Sequence, residues 1–166
     1  IPSSLVGSEM CIRDSILVVA DNSKEMRTAL EYACARSKKT SRKIIIATFV
    51  EPIDVLTTQG ISEIMKNEAR EEAETRLKEA ASFVQNKTGE LPALSLREGD
   101  TIVELKKLID EEKNINVLVL AAKSEENNKD PGPIITSLVS NEITNLRVPI
   151  MIVPGNFSKE HISQIT

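Results

Sequence analysis

Asp21 and the stretch from Gly132 to Ser137 are the residues of this 166-residue chain best suited to hold a small molecule. Asp21 closes the apolar run Ser15-Ile16-Leu17-Val18-Val19-Ala20. A carboxylate at the end of a buried strand can accept hydrogen bonds from a base amino group or a ribose hydroxyl. It can equally hold its own turn or cap the next helix, and Asp21-Asn22-Ser23 is a natural sequence for either. Gly132-Pro133 opens a helical pattern in which Thr136 and Ser137 fall one turn in. Peptide N–H groups at a helix start, joined by two hydroxyls, are ligands for a phosphate. An ordinary Pro-Gly-Pro helix entry whose hydroxyls satisfy nearby backbone accounts for the same residues, and both readings stay open.

The rest of the composition removes several kinds of chemistry. A formal net charge of −4 leaves no broad cationic surface for nucleic-acid phosphates, and aromatics at 2% with no Trp leave no stacking platform. No nucleic-acid partner is expected. The one histidine, His161, sits close to the last residue, and the two cysteines, Cys11 and Cys34, lie far apart. Metal clusters and Ser-His triads are therefore unsupported, and neither a metal site nor a catalytic residue is assigned. Cys34 shares a helical stripe with Met26, Leu30 and Ala33 and reads as a buried free thiol. No run reaches the roughly 18 apolar residues of a membrane span. Glu9, Arg13 and Asp14 interrupt the start, which lacks the basic-then-apolar order of a secretory signal. A cytoplasmic location with no membrane partner follows as the default. Residues 4–14 resemble translated adapter sequence, so 1–14 are expected to form a non-core leader that need not be native.

The candidate residues must be carried by regular elements, and hydrophobic periodicity predicts nine. Continuous apolar runs at 15–20, 43–50 and 116–121 read as strands covered on both faces; 92–96 is a weaker strand, and Pro149 to Val153 a closing one. Between them, Met26, Ala29, Leu30, Ala33 and Cys34 recur at helical spacing. A long amphipathic helix is predicted over 61–86, with Met65, Ala69, Ala73, Leu77, Ala80 and Val84 on its stripe, Glu72–Arg76 as an i,i+4 pair, and Gly89 as its stop. Ile102, Leu105, Leu108 and Ile109 drive a third helix; Pro133 starts a fourth with Ile135, Leu138, Val139, Ile143 and Leu146 inward. Residues 156–166 read as a polar, frayed tail. The β-α-β-α-β-α-β-α-β order predicts a single α/β domain over 15–155 with a parallel, doubly wound sheet, whose ligands collect beyond the carboxyl ends of the strands.

From Ser15 to Gly155 the chain resembles a universal stress protein of the UspA class. The resemblance rests on Ile16-Leu17-Val18-Val19-Ala20-Asp21-Asn22-Ser23, on Arg97-Glu98-Gly99-Asp100, and on Val117 to Ala121 followed by Val148 to Gly155. It implies a five-stranded flavodoxin-like or Rossmann-like sheet of the adenine nucleotide alpha hydrolase-like kind. It also implies a stress-response protein that binds adenine nucleotide (ATP with Mg²⁺, or AMP) without enzymatic activity beyond weak ATP hydrolysis, and a homodimer formed through the last strand. By position, Ala20 and Asp21 correspond to the adenine and ribose contact, and Val50 to the base-packing residue. Ala121 stands at the first glycine of the family's G-x-x-G-(x9)-G-[ST] phosphate signature, with Thr136, Ser137 and the following Leu138 at its close. Only Ser137 matches the signature outright. The second glycine falls near Ser124, and Glu125, Glu126 and Asp130 add negative charge beside the anion position. Gly132 restores backbone freedom from another position. The alternative implied by those departures is a dimeric module that keeps the fold, binds no nucleotide and acts through protein partners. ATP pyrophosphatases, flavodoxins and response regulators are disfavoured, because Ala20-Asp21-Asn22-Ser23 carries none of their loop signatures.

Overall fold

The computed structural model of the chain describes residues 14–52, 59–126 and 129–166. Strands β1 (Ser15–Val19), β2 (Lys43–Val50), β3 (Ala93–Glu98), β4 (Ile115–Ala122) and β5 (Ile150–Pro154) form one parallel sheet in the order β3-β2-β1-β4-β5. Helices α1 (Met26–Thr40), α2 (Gln59–Thr88), α3 (Thr101–Glu111), α4 (Pro133–Ser137) and α5 (Lys159–Ile165) cover its faces. Every residue of the central strand β1 is buried, as a strand covered on both sides requires. Its side chains alternate: Ile16 and Val18 pack with Leu30, Ala33, Leu77 and Val84 of α1 and α2, while Leu17 and Val19 pack with Leu105, Leu108, Ile109 and Leu138. Each such Val, Leu or Ile side chain stabilises the fold by roughly 1.5–3 kcal/mol on burial.

Four elements differ from the periodicity reading, each for a local reason. First, β3 runs to Glu98 because its register with β2 continues to the Val50–Glu98 pair. Second, α2 spans 30 residues, about 45 Å, and outruns the eight-residue β2 beside it. Its stripe is buried from Ala73 to Val84, but Met65 remains 40% exposed. The third difference is α4, which passes into a π turn (Leu138–Glu142) and then a 3₁₀ turn (Ile143–Asn145). The changed residues per turn rotate Val139 and Ile143 off the inward stripe, leaving both about half exposed. Finally, the expected frayed tail forms α5. Ser158 caps it by accepting from the His161 N–H at 3.1 Å, and Ile162 buries against α1.

Candidate functional site

β1 lies between β2 and β4, so the chain leaves β1 toward one face and reaches β4 from the other. That is the switch point where a crevice opens above the strand ends. Ala20, at the end of β1, is held on both sides. Its N–H donates to the Ala47 carbonyl at 2.7 Å, and its carbonyl accepts from the Thr48 hydroxyl at 2.8 Å. Thr48 is fully buried and in turn accepts from Arg76 Nη1 at 2.9 Å. Arg76 of α2 thus braces the strand end that presents Asp21. The Asp21 carboxylate is half-buried and accepts the Ser23 N–H at 2.9 Å and the Ser23 hydroxyl at 2.5 Å through Oδ1. It shapes the turn, and α1 starts only at Met26 behind Glu25, which makes no side-chain cap.

The β4–α4 connection forms the other wall. Lys123 N–H donates to the Pro131 carbonyl at 3.1 Å, which folds the loop back on itself. Gly132 then adopts φ 117° and ψ 156°, a region closed to side-chain-bearing residues. In that conformation its N–H points at Asp130 Oδ1, 3.0 Å away, and the Thr136 hydroxyl donates to the same oxygen at 3.0 Å. These bonds, the Gly132 amide foremost, hold the Asp130 carboxyl below the usual aspartate range, helped by Lys123. Ser124 turns its N–H and hydroxyl toward Glu25 Oε1, at 3.4 and 3.5 Å. The donors of this loop are therefore already facing carboxylates of the chain itself.

Of the residues singled out from sequence, Asp21, Ala121 and Gly132 line one cavity, with Lys123 between them. Its volume is about 40 Å³, far below the several hundred Å³ of an ordinary ligand site. Thr136 is exposed, outside that lining, with its hydroxyl spent on Asp130, and Ser137 is the half-buried last residue of α4. The side chain of Leu138 belongs to the core, where it is wholly buried, and that of Ala20 is buried in the opposite layer. Val50 opens on a different cleft, of about 340 Å³, with Lys66, Arg70 and Glu98. Asp21 also borders an open cleft of about 630 Å³ between its turn and α2, lined by Glu68, Glu72, Glu79 and Arg76. Three participants escaped the sequence reading. Thr48 is visible in the sequence as one hydroxyl in an apolar strand, Arg76 reads only as a surface partner of Glu72, and Asp130 reads as a repulsive neighbour, whereas in the fold it accepts the Gly132 N–H and the Thr136 hydroxyl. Among the described residues, no group of three or more His, Cys, Asp or Glu side chains is arranged to hold a metal ion.

Residues 13–154 match the model of the universal stress protein family. The chain belongs to that family. Solved universal stress proteins share its fold: UspA from Lactobacillus plantarum at 13% identity, with a TM-score of 0.69 over 84% of this chain and 97% of that one. A universal stress protein in complex with cAMP matches at 19% identity and a TM-score of 0.60, over 87% and 98% of the two chains. One from Archaeoglobus fulgidus in complex with dAMP matches at 16% identity and 0.63, over 86% and 98%. No curated protein matches by sequence. Like those structures, this universal stress protein is one α/β domain built on a parallel five-stranded sheet. None of its described helices is long and apolar enough to cross a membrane.

Proposed function

We propose that this universal stress protein binds an adenine nucleotide at the carboxyl ends of β1 and β4, and that it acts by binding rather than by turnover. Asp21 faces the base or ribose across the open cleft, and the Gly132 N–H with the Thr136 hydroxyl receives one phosphate oxygen, with Ser137 alongside. The observation that carries the reading is the convergence of those two donors on a single anionic oxygen, Asp130 Oδ1, at 3.0 Å each. The turn is thus an anion hole in which a side chain now takes the place of the ligand. A nucleotide with one phosphate fits best, in keeping with the cAMP and dAMP named for two related structures. ATP with Mg²⁺ would bring further negative charge beside Glu125, Glu126 and Asp130.

The small volume beside Gly132 favours a second reading, a dimeric module that binds no nucleotide and acts through protein partners. Calorimetric titration of the full chain with AMP, ADP and ATP in Mg²⁺ separates the two. Heat with AMP supports the first; no heat with any of them at high protein concentration leaves the second. Both readings carry a cytoplasmic location and a homodimer through β5, which among the described residues is an edge strand paired with β4 and leaves Met151 and Ile152 about 40% exposed.

A further inference from the structure

A cleft of about 520 Å³ runs along the outer face of α1, between α5 and the end of α2. It shares no lining residue with the cavity at Gly132 or the cleft at Asp21. Four lysines line it, Lys38 and Lys39 from α1, Lys87 from α2 and Lys159 from α5, against one acidic side chain, Glu31. That is a strongly cationic hollow on a chain of net charge −4. Lysines in the last turn of a helix offset its dipole, which accounts for Lys38, Lys39 and Lys87. It does not account for Lys159, the first residue of α5, where a positive charge meets the positive end of the helix.

Glu31 gathers two of these cations without satisfying them. Its side chain is 12% exposed, and Lys87 Nζ and Lys159 Nζ stand 3.5 and 3.6 Å from Oε1, an atom that is buried and has no hydrogen-bond partner. Lys87 is steadied over the Phe83 ring, 5.7 Å from its centroid, and Lys39 donates to the Thr166 carbonyl. Each ammonium carries three donors, so several remain available to an incoming anion. Cys34, also in the lining, is not the reactive element: burial foremost, then Glu31, pushes its thiol up to about 12.

We propose that this cleft is a second binding site, for a small phosphate compound carrying several negative charges, of the diphosphate class. The volume lies in the range of small-molecule sites, and several compact ammonium groups in one hollow offer a phosphate compound with several negative charges the point charges it needs. The test is calorimetric titration of the full chain with pyrophosphate at about physiological salt. Binding is expected to weaken roughly tenfold in the exposed double variant Lys38→Gln/Lys39→Gln and to tighten several-fold in Glu31→Gln. The Glu31 variant keeps the proposal falsifiable should the lysine variant fold poorly. No pyrophosphate binding overturns the proposal, as does binding indifferent to Lys38, Lys39 and Glu31. A response confined to Asp130→Asn would place the anion at the Gly132 turn and overturn it too.

Discussion

Replacing Asp130 by Asn tests the proposal that the turn at Gly132 is an anion hole. In the native chain one carboxylate oxygen takes both the Gly132 N–H and the Thr136 hydroxyl at 3.0 Å. A phosphate entering the hole must displace that oxygen and then sit beside a negative charge a few ångströms away. At about 4 Å in a water-like dielectric, each pair of unit charges changes an equilibrium about fivefold, so a dianionic phosphate is disfavoured by roughly ten- to thirtyfold after screening. Asparagine keeps the shape and an acceptor but removes the charge. AMP is therefore expected to bind Asp130→Asn ten- to thirtyfold more tightly than the native chain, while uncharged adenosine binds both alike. Isothermal titration calorimetry at two salt concentrations measures this directly, and the gain should shrink at the higher one. Unchanged or weaker AMP binding in the variant would refute the idea that Asp130 stands in the phosphate's place. An equal gain for adenosine would show that the substitution merely loosens the loop.

Four further outcomes follow from the same geometry. Asp21→Ala should weaken AMP and uncharged adenosine alike in calorimetry, because base and ribose are common to them, whereas Ser137→Ala should weaken AMP and leave adenosine unchanged; an equal loss for adenosine would sink the phosphate role of Ser137. Gly155→Ala should lower stability by about 3 kcal/mol, because an added Cβ would lie 2.4 Å from the Ala122 carbonyl oxygen and 2.2 Å from Glu25 Cγ. Thermal melting should drop by roughly 6–12 °C; a change of a degree or so would contradict the packing. Because the folded Asp130 carboxyl is depressed, its contribution to loop closure is complete above the ordinary aspartate value of about 4 and is lost as pH falls through the lower folded value. The Gly132 amide resonance should thus hold steady from about pH 5 to 8 and move only below about 4, and a midpoint above 4 would contradict the assignment. Met151→Arg on the exposed edge should shift light scattering from dimer to monomer at tens of micromolar; a native chain already monomeric there would remove the β5 dimer.

The fold was legible because the signals that specify it are local. Five apolar runs, the helical spacing of Ala29, Leu30, Ala33 and Cys34, and the Gly89 stop describe burial that a parallel sheet with two covered faces satisfies almost uniquely. The helical period fails at Val139 and Ile143, where a fixed 3.6-residue repeat meets a π turn. It fails again at 156–166, where a short, mostly polar stretch with Phe157, Ile162 and Ile165 gains its helix from a Ser158 cap and from the burial of Ile162.

Sequence alone determined the chemical inventory of the site: an aspartate after the first strand, no glycine between Ala121 and Gly132, and a Gly-Pro entry followed by Thr136 and Ser137. Tertiary structure decided how those groups are used. Only the folded chain brings Arg76 onto Thr48, 28 residues away, and sets Glu25 under Ser124, 99 residues away. Only the left-handed turn at Gly132 converts Asp130 from a repulsive neighbour into the acceptor of the Gly132 N–H and the Thr136 hydroxyl. The physical reason is range. Burial patterns repeat along the chain and can be read from it. The direction of a hydrogen bond depends on backbone angles and distant partners that no local pattern encodes.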